Sequence, residues 1–350
     1  MTAPPIDNPG DLSVRQVYEQ FLDAKQLDYT EETLRDYETR LRQFVRWAED
    51  QEDITCIGDI TGWHLEQFKL YRQGQDLAPT TMKGQMTSLK VWLEYAAGIE
   101  AVDDMLPYKV NIPTLSRREE TDDTLLEPDE AHRILSYYRE SRVEYASNGH
   151  VALEIAWYTG ARLGALRGID LEDYDPEKEL IWFRHRPPAT PLKKKDQGER
   201  PVGLPTAVCE VLDTYIESVR TRKRDDNGRE PLFCGRQGRL AQSTLRNWLY
   251  SATLPCVYTA CPHSKEPRSC KWTQLNHSSK CPSSRSPHQI RTGSITWQLN
   301  RGLSFEAVGK RVNSDPDTLR RYYDKAAEVE KLEARRRDFV SKLGFADNDN

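Results

Sequence analysis

The 350-residue sequence has no apolar run approaching the roughly 20 residues that a membrane-spanning helix requires, and its mean hydropathy is -0.77. A helical integral membrane protein is excluded. There is no excess of positive charge either: 50 Lys+Arg stand against 55 Asp+Glu, a net charge of -5, which excludes a polycation that coats nucleic acid indiscriminately. Internal repeats and low-complexity tracts are absent, so a solenoid is not expected. The polar, Pro-rich stretch from Met1 to Gly10 offers no apolar signal core; secretion is not expected, and a cytoplasmic, reducing compartment is. No compact Asp/Glu/His set with an open coordination position occurs, which disfavours a metal-dependent nuclease.

What is present suffices for two folded domains. Hydrophobic residues make up 37% of the chain and include 8 Trp, 16 Tyr and 8 Phe, enough for two cores. The charge is segregated along the chain. Residues 1–120 carry 13 Lys+Arg and 22 Asp+Glu, residues 121–180 carry 6 and 14, and residues 181–301 carry 21 and 9. A local excess of +12 in the last of these attracts phosphates within a Debye length of about 8–10 Å, whatever the distant net charge. The alternative is an ordinary solvated basic face.

Helical periodicity runs over Leu12 to Ala24, from Thr30 through Trp47, from Trp63 to Tyr71, and from Pro79 through Tyr95. Residues 12–101 therefore read as a four-helix domain. Residues 102–125, with Pro107, Pro113 and no sustained apolar stripe, read as a linker. A second domain over 126–340 opens with Pro128 at a helix start. It continues through an apolar helix from His150 to Leu166 interrupted at Thr159-Gly160, then short strands at Leu180–Phe183 and Pro201–Pro205 around a Lys-rich hairpin tip. Helices are expected at 208–219, 243–251, 287–300, 306–312 and 317–336.

Three segments carry chemistry. Arg162 follows Thr159-Gly160 in an apolar context, where a cation calls for an anionic partner. His288 and Arg291 share one face of a helix start that itself favours an anion. Tyr322 and Tyr323 follow Arg320 and Arg321, and a phenol beside cations can attack a phosphodiester. Each is weak alone: such residues are more often ion pairs or core. In this order and spacing they resemble the tyrosine recombinase (phage integrase) family, and among its members the haloarchaeal integrase-like ones, which share the Cys-rich insertion ending Cys281-Pro282-Ser283-Ser284-Arg285-Ser286-Pro287-His288. The resemblance covers both domains.

It implies a mainly α fold with a small β-sheet (α+β), an N-terminal four-helix core-binding domain and a C-terminal catalytic domain. It implies a site-specific recombinase that cuts and rejoins double-stranded DNA through a 3′-phosphotyrosyl link, acting as a homotetramer on DNA with no cofactor for catalysis. Arg162 and Arg291 would hold the scissile phosphate, and His288 would hydrogen-bond the phosphate or the phenol. Lys195, with Lys194 next in line, would protonate the leaving 5′ oxygen. Counting without gaps points to Tyr322 as nucleophile, whereas the haloarchaeal-like Tyr-Asp ending points to Tyr323, which is preferred. Lys193, Lys194, Arg200 and Arg285 would contact DNA. Two positions depart from the family pattern: Ala165 stands where an acid is frequent, and Asn313 where His or Trp is usual. Rival readings are a type IB topoisomerase-like swivel and a sequence-specific DNA-binding protein without catalysis.

The insertion holds Cys256, Cys261, Cys270 and Cys281, with His263 and His277 among them. Clustered thiols in a reducing compartment favour a structural zinc over disulfides, but paired C-x-x-C knuckles are missing, and the alternative is unligated thiols that happen to cluster.

Overall fold

The computed structural model describes residues 8–116, 119, 123–324 and 328–337. Residues 117, 118 and 120–122 of the expected linker, 325–327 of the last expected helix and 338–340 at the expected end of the second domain lie outside this set. The chain divides into two compact units, Met1–Asp122 and Asp123–Asn350.

The first unit is built from α1 (Val14–Ala24), α2 (Glu31–Glu49), α3 (Gly62–Gln73) and α4 (Pro79–Gly98). Their starts obey local chemistry. Ser13 caps α1 reciprocally with Gln16, Thr30 caps α2 ahead of Glu31 and Glu32, and Pro79 opens α4 with the backbone torsion a first helical turn needs. Phe44 sits at the centre, 5.0 Å from Phe68 and 5.7 Å from Trp92, ring centroid to ring centroid. Leu106 and Val110, which the sequence assigns to the linker, are buried in this core.

In the second unit α5 (Pro128–Glu140) and α6 (Asn148–Thr159) precede the short α7 (Leu163–Arg167). A three-stranded antiparallel sheet comes after them, β1 (Tyr174–Asp175), β2 (Leu180–Phe183) and β3 (Arg200–Gly203), with Ile181 opposite Val202 and Phe183 opposite Arg200. Strand β1 is not expected from the sequence; two residues are too few to show an alternation. Helix α8 (Thr206–Thr214), the small β4 (Cys234–Gly235) and β5 (Gly238–Arg239) hairpin, α9 (Gln242–Ala252), α10 (Pro287–Asn300) and α11 (Phe305–Val312) come next. After α11 the chain makes a short turn at Pro316–Thr318 and a π turn at Leu319–Tyr323, and α12 spans Glu328–Arg335.

One continuous helix over 317–336 is therefore not formed. Asp324 leaves helical geometry (φ -80°, ψ 86°) and its N–H bonds back to Leu319, while its carboxylate receives Lys331 and Arg335 from α12. The exit is held by Thr296 of α10, whose hydroxyl donates to the Tyr323 carbonyl at 2.9 Å. Tertiary hydrogen bonds have overridden a good helical pattern.

The base of the β2–β3 hairpin is fixed by buried acids. Asp173, fully buried, takes both Arg186 terminal nitrogens at 2.8 Å and Arg184 Nε at 3.2 Å, and Asp170 pairs with Arg186, Arg229 and Arg239. Buried charges of either sign are tolerable only when matched in this way.

Candidate active site

Helix α6 ends where its sequence demands. Gly160 takes the left-handed conformation (φ 58°) that terminates a helix, and Thr159 Oγ1 donates to the Ile155 carbonyl while accepting from the Ala161 N–H. A Cβ on Gly160 would lie 2.8 Å from Val312 Cγ1, so the turn also sits directly against the end of α11. Gly160→Ala combines a left-handed alanine with overpacking. It is expected to destabilise the protein by about 2–4 kcal/mol, read as a lower urea midpoint; a loss below about 0.5 kcal/mol would contradict this account of the turn.

The turn delivers Arg162, whose Nη1 donates to the Asn313 carbonyl at 2.7 Å. Asn313 closes α11 in the left-handed conformation (φ 54°), which suits its side chain, and its amide packs where a Cβ on Gly198 would stand. On α10, begun by Ser286 with Pro287 in its first turn, Arg291 is 2% exposed and donates Nη1 to the carbonyls of Gly160 and Val312. Its Nε and Nη2 are buried without a hydrogen-bond partner. Burial, and then the nearby charge of Arg162, pull its pKa down to about 10, against the opposing influence of Tyr323.

Arg200, at the start of β3, joins this pair. Its Nε donates to the Arg311 carbonyl at 2.6 Å and its Nη1 to Gly198, and its guanidinium stacks 4.5 Å above Phe183. Burial first, then Arg291 and Arg162, bring its pKa down to about 9. Three guanidinium groups thus converge, and backbone carbonyls meet each of them. Such an arrangement is costly until an anion enters it.

The two tyrosines diverge. Tyr323 is buried, its ring 5.5 Å from that of His288 and 5.2 Å from the Arg291 guanidinium carbon. Tyr322, one residue earlier, is half-buried and lies 5.1 Å beneath Arg321. His288 is exposed, one turn before Arg291 on α10. Of the hairpin lysines, Lys193 and Lys195 are exposed, whereas Lys194 reaches Asp315 Oδ1 with its Nζ at 2.7 Å.

A family model described as "Phage integrase family" matches residues 124–328. The chain belongs to the phage integrase family. Among solved structures it is similar to the Tn1549 transposon integrase in complex with a circular intermediate DNA, with TM-score 0.66 and 17% identity over 95% of this chain and 100% of that one. It is also similar to a lambda integrase dimer bound to a COC' core site, with TM-score 0.61 and 14% identity over 91% of this chain and 79% of that one. The N-terminal domain of a phage integrase/site-specific recombinase from Haloarcula marismortui is 41% identical over 29% of this chain and 97% of that domain, with TM-score 0.28. No curated protein matches the sequence. The integrase fold is the mainly α architecture with a small sheet that the motifs implied, and no described helix is long and apolar enough to cross a membrane.

Two sets of residues in this integrase-family chain behave differently from expectation. Arg285 turns inward: its backbone N–H donates to Thr253, its Nε to the Leu125 carbonyl, and its terminal nitrogen lies 3.6 Å from Glu130. It ties the chain ahead of α5 to the start of α10 and is little exposed. The zinc site expected at Cys256, Cys261, Cys270 and Cys281 is not assembled, because among the described residues no group of three or more His, Cys, Asp or Glu side chains is placed to hold a metal. Burial, and then the neighbouring Cys261 with smaller contributions from Cys281 and Cys270, push the Cys256 thiol above its ordinary pKa. Hydroxyls on carbonyls hold the insertion, Ser278 on Leu275, Ser284 on Ser278 and Cys281, and Thr273 on Cys270.

The motif spacing overlooked Arg311 and Asp315. Arg311 bonds the carbonyls of Tyr158 and Gly203 and the Gln298 side chain, joining α6, β3 and α10 to α11. Its position shortly before Asn313 was the available signal, as was the acid of Asp315 in an otherwise cationic neighbourhood.

Proposed function

We propose that this protein is a site-specific DNA recombinase that cuts and rejoins duplex DNA through a 3′-phosphotyrosyl intermediate. The observation that carries the reading is Arg291, a buried cation with two unpartnered donors beside Arg162 and Tyr323. A phosphate diester supplies what those donors lack: negative charge and acceptors in the planar, bidentate geometry a guanidinium fits. The Tyr323 oxygen attacks phosphorus, the bond to the 5′ oxygen breaks, and the 3′ phosphate remains on the tyrosine. The phenolic proton passes by way of His288 to solvent water, and a hairpin lysine gives the 5′ oxygen its proton, a contribution of about 10²–10⁴ in rate. Attack by the 5′ hydroxyl of a partner strand reverses these transfers. The phosphotyrosyl bond retains the energy of the diester, so resealing needs no nucleotide.

DNA complexes among the structural neighbours support double-stranded DNA as substrate, and the dimer seen for lambda integrase supports assembly on it, with a tetramer completing exchange between two duplexes. The test begins by selecting bound duplexes from a randomised pool. A nicked suicide version of the selected site is then incubated with the protein in chelator. An SDS-resistant adduct, with the nucleotide mapped to Tyr323 by mass spectrometry, is expected. Specific binding without any adduct would leave a DNA-binding protein and overturn the reading.

A further inference from the structure

The hairpin presents three consecutive lysines, and the spacing Lys-x-x-x-x-Arg ahead of β3 selects Lys195. The structure selects differently. Lys194 crosses from the hairpin to Asp315, a pairing between residues 121 apart in sequence, at 2.7 Å. Asp315 stands two residues beyond Asn313, whose carbonyl receives Arg162. The hairpin is held to this same segment twice more, by Arg200 on the Arg311 carbonyl and by the close approach of Gly198 to the Asn313 amide. Lys195, by contrast, occupies a left-handed bend (φ 51°) and is exposed.

Ala165 bears on the same point. It stands three residues after Arg162, where the family resemblance leads one to look for an acid, and it cannot offset a cation. Asp315 lies on a different element, two residues beyond Asn313. A hydrogen bond from Lys194 and its charge, and further off the charge of Arg162, hold the Asp315 carboxyl below its usual range. Asp315 pairs with Lys194, and Arg162 acts on it only as a nearby charge.

We infer that Asp315 is a positioning residue that holds Lys194, rather than Lys195, beside the arginine pocket as the proton donor to the departing 5′ oxygen. This rests on the recombinase reading above. In the cleavage step the P–O5′ bond breaks, and the oxygen takes one of the three Nζ protons, leaving a neutral amine that the returning 5′ hydroxyl reprotonates. A long, flexible ammonium held in place before DNA arrives does not have to be ordered during the reaction. The Asp315 side chain is 69% exposed, so the pair is weak enough for Lys194 to exchange the carboxylate for the leaving oxygen.

The experiment compares two suicide duplexes with the selected site, one with the natural 5′ oxygen at the scissile bond and one with a bridging 5′ sulfur. A thiolate departs without a proton, so loss of the proton donor is rescued by sulfur and loss of phosphate binding is not. With the full chain, Lys194→Ala should slow adduct formation by about 10²–10³-fold on oxygen and by less than about threefold on sulfur. Lys194→Arg, which keeps the charge and the ion pair but is a poor acid, should show the same pattern and covers the case in which the alanine variant does not fold. Asp315→Asn should lose about tenfold on oxygen, recover on sulfur, and be restored by Asp315→Glu. Whatever Lys195→Ala loses should be lost equally on both substrates. Rescue by sulfur of Lys195→Ala in place of Lys194→Ala, an Asp315→Asn loss that persists on sulfur, or no loss in Asp315→Asn would overturn the inference. Absence of any adduct by the unaltered protein on either duplex would instead count against the recombinase reading itself.

Discussion

Tyr323→Phe is expected to reduce covalent adduct formation by at least about 10⁴-fold, while the variant still folds and still binds its DNA. The substitution removes one oxygen from a ring that is otherwise held by its neighbours, His288 at 5.5 Å and Arg291 at 5.2 Å, and by the Thr296 bond to its backbone carbonyl. None of these needs the hydroxyl, so the stability cost should stay below about 1 kcal/mol. Tyr322→Phe is the informative companion. Its ring packs under Arg321 and is half-buried, whereas that of Tyr323 is buried against His288 and Arg291. It should retain adduct formation to within a few-fold. Gel retardation and SDS-resistant adduct yield, run on both variants, distinguish the two; an adduct that survives Tyr323→Phe and vanishes in Tyr322→Phe would transfer the role to Tyr322.

Arg291→Met is expected to lower adduct formation by about 10³-fold or more and at the same time to raise thermal stability. The first effect comes from losing the guanidinium that would hold the phosphate. The second comes from the sign of its pKa shift. Burial, and then the charge of Arg162, bring the guanidinium down to about 10 in the folded protein, so the folded state disfavours the cation. For a base lowered in this way the penalty is present in full at every pH below about 10 and is relieved only as pH rises from there towards the ordinary guanidinium range. At neutral pH Met removes that penalty together with the buried charge. Two carbonyls, Gly160 and Val312, lose their donor, but replacing an unmatched buried cation by a packed apolar side chain stabilises by about 1–4 kcal/mol, so the melting point is expected to rise by about 2–4 °C. Inorganic phosphate should stabilise the unaltered protein and leave Arg291→Met unmoved. A melting point several degrees lower in Arg291→Met would show that the guanidinium is a structural strut rather than an anion receptor.

The same conflict between stability and function changes the meaning of the charge segregation. Residues 121–180 carry 14 acids and residues 181–301 carry 21 bases. Part of this opposition is cancelled inside the fold, where Arg184, Arg186, Arg229 and Arg239 meet Asp170, Asp173 and Asp225. Those four arginines steady the hairpin and do not contribute a free field. The cations without carboxylate partners at the pocket, Arg162, Arg200 and Arg291, are fewer and better placed than a linear count suggests.

Most helices could be read from the chain because each is announced locally. Ser13, Thr30 and Ser286 cap the helices they precede, Pro79, Pro128 and Pro287 open a first turn, and Gly160 ends one. The family, too, was legible in residues at fixed spacing, since Arg162, His288, Arg291 and the tyrosine pair stand in the required order. These are short-range facts, and backbone sterics and capping hydrogen bonds enforce them without help from the rest of the molecule. The break after Tyr323, the inward turn of Arg285, the separation of Tyr323 from Tyr322 and the choice of Lys194 by Asp315 were decided only by the folded chain. Each depends on a partner between 27 and 160 residues away, or on a difference in burial between adjacent side chains, and neither leaves a trace in local composition.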